Sequence, residues 1–210
     1  MFLDAKQFFY NHDVDALTYK YGRIGGPTGL ACPGKYGAVT TGSSVTVNAV
    51  TGTPFDPILA GDLIIFFIPP DTRTLRKVAT KVSGAQITVD TAIDLGTSGR
   101  MFEFYPVRVG TGAGDGWHSV QAYSAISIWV RISAYAATGG IDVTIEALTP
   151  NIDNAPVTIS TTNYTATGTA VINVAEVVGQ LRVGLKAGSA FAGTDAVSVW
   201  MTGEVRKAGY

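Results

Sequence analysis

Two histidines, one cysteine and 16 carboxylates are the stock from which this chain could build a catalytic or metal centre. His12, Asp13 and Asp15 cluster, as cation ligands do, but no second histidine stands near in sequence to complete a chelate. His118 follows Trp117, with Asp115 close by. A histidine placed beside a glycine-rich turn is expected to be a solvated edge residue rather than a general base. Cys32 has no intramolecular disulfide partner, and with only two histidines it cannot close a zinc site. Asp62, after Gly61, and Asp90 read as turn formers at strand ends rather than as acids. Asn163-Tyr164-Thr165 has the form of a glycosylation acceptor, which has meaning only in a secreted protein. Gly110 to Gly116, GTGAGDG, follows a strand and resembles a phosphate-cradling loop. A dinucleotide fingerprint needs a helix next, however, and a strand pattern follows instead, so the stretch reads as a hinge. The sequence therefore predicts no catalytic residues, no cofactor, no metal and no enzyme.

The residues with more to offer are aromatic. Leu181, Val183 and Leu185 alternate on one side of an arm, and Val197, Val199, Met201 and Val205 do so on the next, with a Gly/Thr/Asp connector between them. That is the period of an antiparallel strand pair. Ile126, Ile128, Val130 and Ile132 alternate against Ser127, Trp129 and Arg131 in the same way, and Ile141, Val143 and Ile145 against Asp142, Thr144 and Glu146. Trp129 and Trp200 thus fall on the polar sides of their strands. They pair across neighbouring strands, lie under another part of the chain, or anchor an interface, where tryptophan is enriched. With Tyr123 they could also form a platform for a sugar ring.

Composition sets the class. Of 210 residues 15% are charged, against about 25% in an average soluble domain. The 25 glycines point to a chain rich in strands and turns. The net charge of −1, with no basic run longer than Arg76-Lys77, argues against a nucleic-acid partner. No apolar run approaches the roughly 20 residues that cross a bilayer, the longest candidate being Leu63 to Ile68. The first residues lack the features of a signal peptide. A protein made in the cytoplasm, with no membrane association, is expected.

In order, residues 1–36 are aromatic-rich and broken by Gly and Pro, and read as an extended N-terminal arm. Asp4 is a candidate N-cap for a short helix over Ala5 to Tyr10. Phe2, Phe8, Phe9 and Tyr10 must be buried either on this chain's own domain or on a neighbouring subunit. Residues 37–109 hold strand after strand and predict a small β barrel. Residues 110–116 are the linker, and residues 117–210 predict an antiparallel β sandwich, jelly-roll-like or Ig-like, with jelly roll preferred because the antibody-type cysteine pair is missing. The fold class is all-β.

The aromatic arm, the barrel with AGDLIIFF and TLRKVATKVSGAQITVDTAI, the linker VGTGAGDGW and the sandwich ending in VSVWMTGEVRKAGY together resemble structural proteins of tailed-bacteriophage virions. The resemblance covers most of the chain and is one of organisation, without a diagnostic motif. It implies a non-enzymatic, multi-copy virion component, of capsid decoration or cement type or from the neck, tail or fibre. Such a component self-associates, often as a trimer, and binds the major capsid protein or other virion proteins. Phe2, Phe8, Phe9, Tyr10, Trp129 and Trp200 are the expected interface anchors. A carbohydrate-binding module with a glycan partner is the expectation from another class.

Overall fold

The computed structural model describes residues 6–14, 18–24, 28–29, 37–70, 72–136, 138–148, 155–175, 179–188 and 194–205, which form strands and turns and no helix. In chain order the strands are β1 (Lys6–His12), β2 (Lys20–Ile24), β3 (Thr28–Gly29), β4 (Ala38–Val39), β5 (Ser44–Ala49), β6 (Leu63–Ile68), β7 (Thr72–Ser83), β8 (Gln86–Ile93), β9 (Phe102–Tyr105), β10 (Val107–Gly110), β11 (His118–Ser119), β12 (Tyr123–Ala134), β13 (Ile141–Leu148), β14 (Pro156–Tyr164), β15 (Gly168–Ala175), β16 (Gln180–Ala187) and β17 (Ala196–Val205). They fall into two compact units, residues 1–24 with 108–210, and residues 25–107.

The second unit is a seven-stranded antiparallel sheet in the order β3-β9-β6-β7-β8-β5-β4. It curls toward closure. Ala38 of β4 exchanges both backbone hydrogen bonds with Arg100, at 2.9 and 2.8 Å, which brings the last strand of the path back to the residues preceding β9. The enclosed core holds Phe55, Ile58, Ile64, Phe66, Ile87, Leu95 and Phe102. Asp62 is fully buried and accepts from the backbone N–H groups of Leu59 at 2.9 Å and Val107 at 2.8 Å, which is the turn-forming work expected of it.

The first unit is a sandwich of two sheets, β1-β17-β12-β15 and β10-β2-β16-β13-β14, with β11 added beside β16. Among its strands the antiparallel pairs β1·β17, β2·β16, β12·β15 and β13·β14 are nested one inside the next. Ranked one to eight, the strands run 1-8-3-6 in one sheet and 2-7-4-5 in the other. This is a long antiparallel ribbon rolled up on itself, the jelly-roll order. The two inner faces supply the core: Ile126, Ile128, Val130, Ile132, Val197, Val199 and Met201 from one sheet, and Ile141, Val143, Ile145, Leu181, Val183 and Leu185 from the other. These are the positions that period-2 alternation places inward.

The N-terminal region departs from the expected arm. Where described, residues 6–14 and 18–24 are built into the sandwich, and the short helix expected over Ala5 to Tyr10 is replaced by β1. The cause is tertiary. Phe8 (0% exposed) and Phe9 (1%) are both core residues, and a register shift between Gln7 and Phe9 lets two consecutive side chains turn inward. Gly22 of β2 permits the close crossing, since a Cβ there would stand 2.5 Å from the Phe9 ring. Phe8 and Phe9 are therefore spent in this chain's own core and leave the set of surface anchors. Tyr10 is half-buried on β1, and Phe2 lies outside the described residues.

Truncating a fully buried phenylalanine removes its transfer energy and leaves a cavity, so Phe8→Ala should lose about 3–5 kcal/mol of stability in urea unfolding followed by circular dichroism. A loss below 1 kcal/mol would place Phe8 outside the core.

Candidate functional site

The outer face of β1-β17-β12-β15 carries the tryptophans. In the registers of this sheet, Gln7 stands opposite Trp200, Trp200 opposite Trp129, and Trp129 opposite Val171, so the four form one row across the strands. The two indole rings are parallel within 5°, their centroids 6.1 Å apart. Since stacked carbons touch at about 3.5–4.0 Å, a pair at this spacing is strongly offset and leaves part of each ring face uncovered. Trp129 Nε1 donates to Thr202 Oγ1 at 3.0 Å, which fixes the ring, and Val171 at the end of the row is 43% exposed. Ser127, whose hydroxyl donates to Asn173 Oδ1 at 2.9 Å, and Arg131 flank the pair along the strands. Alternation placed both tryptophans on this face; that they pair required the β12·β17 register. Tyr123 does not join them. A register shift between Tyr123 and Ala125 breaks the alternation, and Tyr123 packs against the sandwich core.

The opposite sheet carries a different cluster. Arg182 of β16 is 5% exposed and meets Glu146 Oε2 through Nε at 2.7 Å and Nη2 at 2.6 Å. Its guanidinium lies 3.6 Å from the centroid of Tyr21 and 4.4 Å from that of Trp117. Its Nη1 donates to the carbonyls of Gly112 at 3.3 Å and Ala113 at 3.0 Å, and Tyr21 Oη donates to Glu146 Oε1 at 3.2 Å. Burial, and then the Glu146 carboxylate, push the Tyr21 hydroxyl above its ordinary pKa, so it stays a donor. Residues 110–116 are thus no hinge. Gly112 N–H donates to Asp115 Oδ2 at 2.7 Å, Trp117 Nε1 donates to Ala113 O at 2.8 Å, and Arg182 holds the turn from beneath.

The sequence candidates for chemistry are otherwise engaged. His118 is not a solvated edge residue: it is 5% exposed, edge-on to Phe8 with ring centroids 4.6 Å apart, and Nε2 has no partner. Burial, with the charges of Arg23 and Lys6, holds its pKa down to about 3. The imidazole is therefore neutral at physiological pH. The His12 ring packs on Phe9 at 5.0 Å, and Asp13 accepts from the Asp195 backbone N–H at 3.2 Å. Asp15 and Cys32 lie outside the described residues. Among the described residues no group of three His, Cys, Asp or Glu could hold a metal ion.

No protein-family model, no curated protein and no solved structure matches this chain.

Removing Arg182 leaves a carboxylate that is only 14% exposed without its counter-ion, so Arg182→Ala should cost about 2–4 kcal/mol in urea unfolding, while Arg182→Met combined with Glu146→Leu recovers most of it. If the single variant were as stable as the double, the pair would carry no structural weight. For His118, a pKa lowered from 6.5 to about 3 means that the unfolded chain binds more protons between those values, so stability is complete above pH 6.5 and is lost as pH falls. Between pH 7 and 5 that loss should reach about 2 kcal/mol and disappear in His118→Leu. An equal pH slope in both proteins would assign the loss to other groups.

Proposed function

We propose that this chain is a non-enzymatic structural protein of a tailed-bacteriophage virion. Its role is that of a multi-copy capsid decoration or cement protein, self-associating and bound to the major capsid protein; a neck, tail or fibre component is the near alternative. The observation that carries the reading is the Trp129–Trp200 pair, fixed in orientation and partly open on the outer face of a jelly roll. Rigid aromatic side chains bring large contact area at little entropic cost, as interface centres require. The jelly roll itself is shared by viral capsid and lectin domains, so it supports the class by analogy while the surface carries the argument. Mechanically, added buried area between subunits resists expansion of the shell. The protein is made in the host cytoplasm and resides in the virion.

A second reading has its own observation. An offset tryptophan pair flanked by Asn173, Ser127 and Arg131 is also what a carbohydrate-binding face offers, with ring faces for a sugar's apolar side and polar groups for its hydroxyls.

Immunogold labelling of intact virions should place the protein on the shell. Trp129→Ser combined with Trp200→Ser should abolish attachment to virions while leaving circular dichroism and the thermal midpoint nearly unchanged. Attachment at wild-type levels would remove the pair from the interface. Quenching of tryptophan fluorescence by a soluble oligosaccharide, with no virion attachment, would move the assignment to glycan binding.

A further inference from the structure

The sandwich has four sheet edges, and three of them are blunted. β1 is broken by two register shifts, β10 is four residues long, and β14 begins with Pro156 and carries a shift opposite Ile145 and Glu146. β15 is different. All eight of its residues pair with β12 in unbroken register, from Gly168 opposite Ile132 to Ala175 opposite Ala125, and among the described residues nothing pairs with its outer side. Natural edges are usually guarded by charge, proline or a bulge. β15 has none of these, and the whole of residues 156–175 contains no Asp, Glu, Lys or Arg.

Exposed apolar area gathers on the same side. Among the described residues of the sandwich the exposed large hydrophobics are Val109, Val157 (53%), Ile159 (42%) and Val171 (43%). Three of these four lie on β14 and β15, consecutive strands that form the neighbouring edges of the two sheets.

The geometry points to β15 as an interface between two copies of this chain, paired antiparallel about a two-fold axis normal to the sheet. A second copy fits better than an unrelated strand because β15 is complementary to itself. A register that keeps outward residues opposite outward residues and sets Val171 against Val171 of the second copy also sets Thr169 against Asn173 and Ala170 against Ile172. Asn173 Oδ1 already accepts from Ser127, which leaves its amide to donate to the threonine hydroxyl. No like charges meet anywhere along the pair. The joined sheet has eight strands, and its outer face carries one continuous row, Trp200, Trp129 and Val171 followed by the same three in reverse. This two-fold pairing names the partner for the self-association proposed above and replaces the trimer that the resemblance implies. It stands or falls on the purified protein, without a virion.

Light scattering over a dilution series of the full chain should show twice the chain mass at high concentration, falling to a monomer on dilution. Val171→Lys, which sets two like charges opposite each other, should weaken the pairing by at least about tenfold in dissociation constant. Val109→Lys should leave it intact. Both variants should keep the wild-type circular dichroism spectrum, since both positions are exposed. As a check that needs no substitution, amide hydrogen exchange of the wild type should show concentration-dependent protection confined to residues 168–175. A wild-type monomer or trimer at all concentrations overturns the proposal, as does a Val171→Lys dimer of unchanged affinity or protection at another edge.

Discussion

The sandwich depends on one buried charge. Taking Arg182 and Glu146 out of water is unfavourable by several kcal/mol per ion unless every polar atom finds a partner. Here the guanidinium has a carboxylate, two carbonyls and two ring faces, and the carboxylate has a tyrosine hydroxyl besides. The partners come from four separate stretches: Tyr21 on β2, the 112–117 turn, Glu146 on β13 and Arg182 itself. Two of those stretches flank the point where the chain leaves the sandwich after Ile24 and returns to it at Arg108. The pair therefore ties together the stretches on both sides of an 83-residue excursion (Gly25 to Val107), through hydrogen bonds whose geometry is directional.

Most of the fold was legible because most of it is regular. β12, β13, β16 and β17 each bury one face, and strict alternation marks them in the sequence. What was not legible was non-local. β1 was hidden because Phe8 and Phe9 are adjacent, a spacing that fits a strand only when a bulge turns the second inward, and a bulge leaves no sequence trace. The GTGAGDG stretch reads as a hinge by composition, since the arginine that ties it down lies 70 residues further on. The burial of His118 is non-local in the same way, since it comes from Phe8, 110 residues earlier. The tryptophans were placed on the right face by period alone, while their pairing is a matter of register that only the assembled sheet decides.

The two outer faces of the sandwich are finished differently. On the sheet holding β13 and β16, Glu146–Arg182 and Asp142–Lys186, whose charged atoms are 3.5 Å apart in the second pair, form a ladder with Tyr21 and Tyr19 laid over the cations. Gly184, between them, leaves room for the tyrosine rings. That face is closed by its own chain. Among the described residues the face with Trp129 and Trp200 carries no such charged ladder, and its aromatic row runs toward β15, an edge paired with β12 in unbroken register. The two faces are thus finished by different chemistry, one by cross-strand ion pairs capped by tyrosines and the other by a tryptophan pair.

The pairing of β1 with β17 has a consequence for how the nascent chain must behave. Phe9 stands opposite Val199, so β1 is synthesised 190 residues before the strand that it pairs with. At about 5–20 residues per second that interval is roughly 10–40 s, during which β1 has no strand to pair with on its β17 side. The strands of residues 25–107, by contrast, emerge in one uninterrupted run and can close their own core during the wait. The strand made before residues 25–107 therefore meets its partner only after all of them have been made.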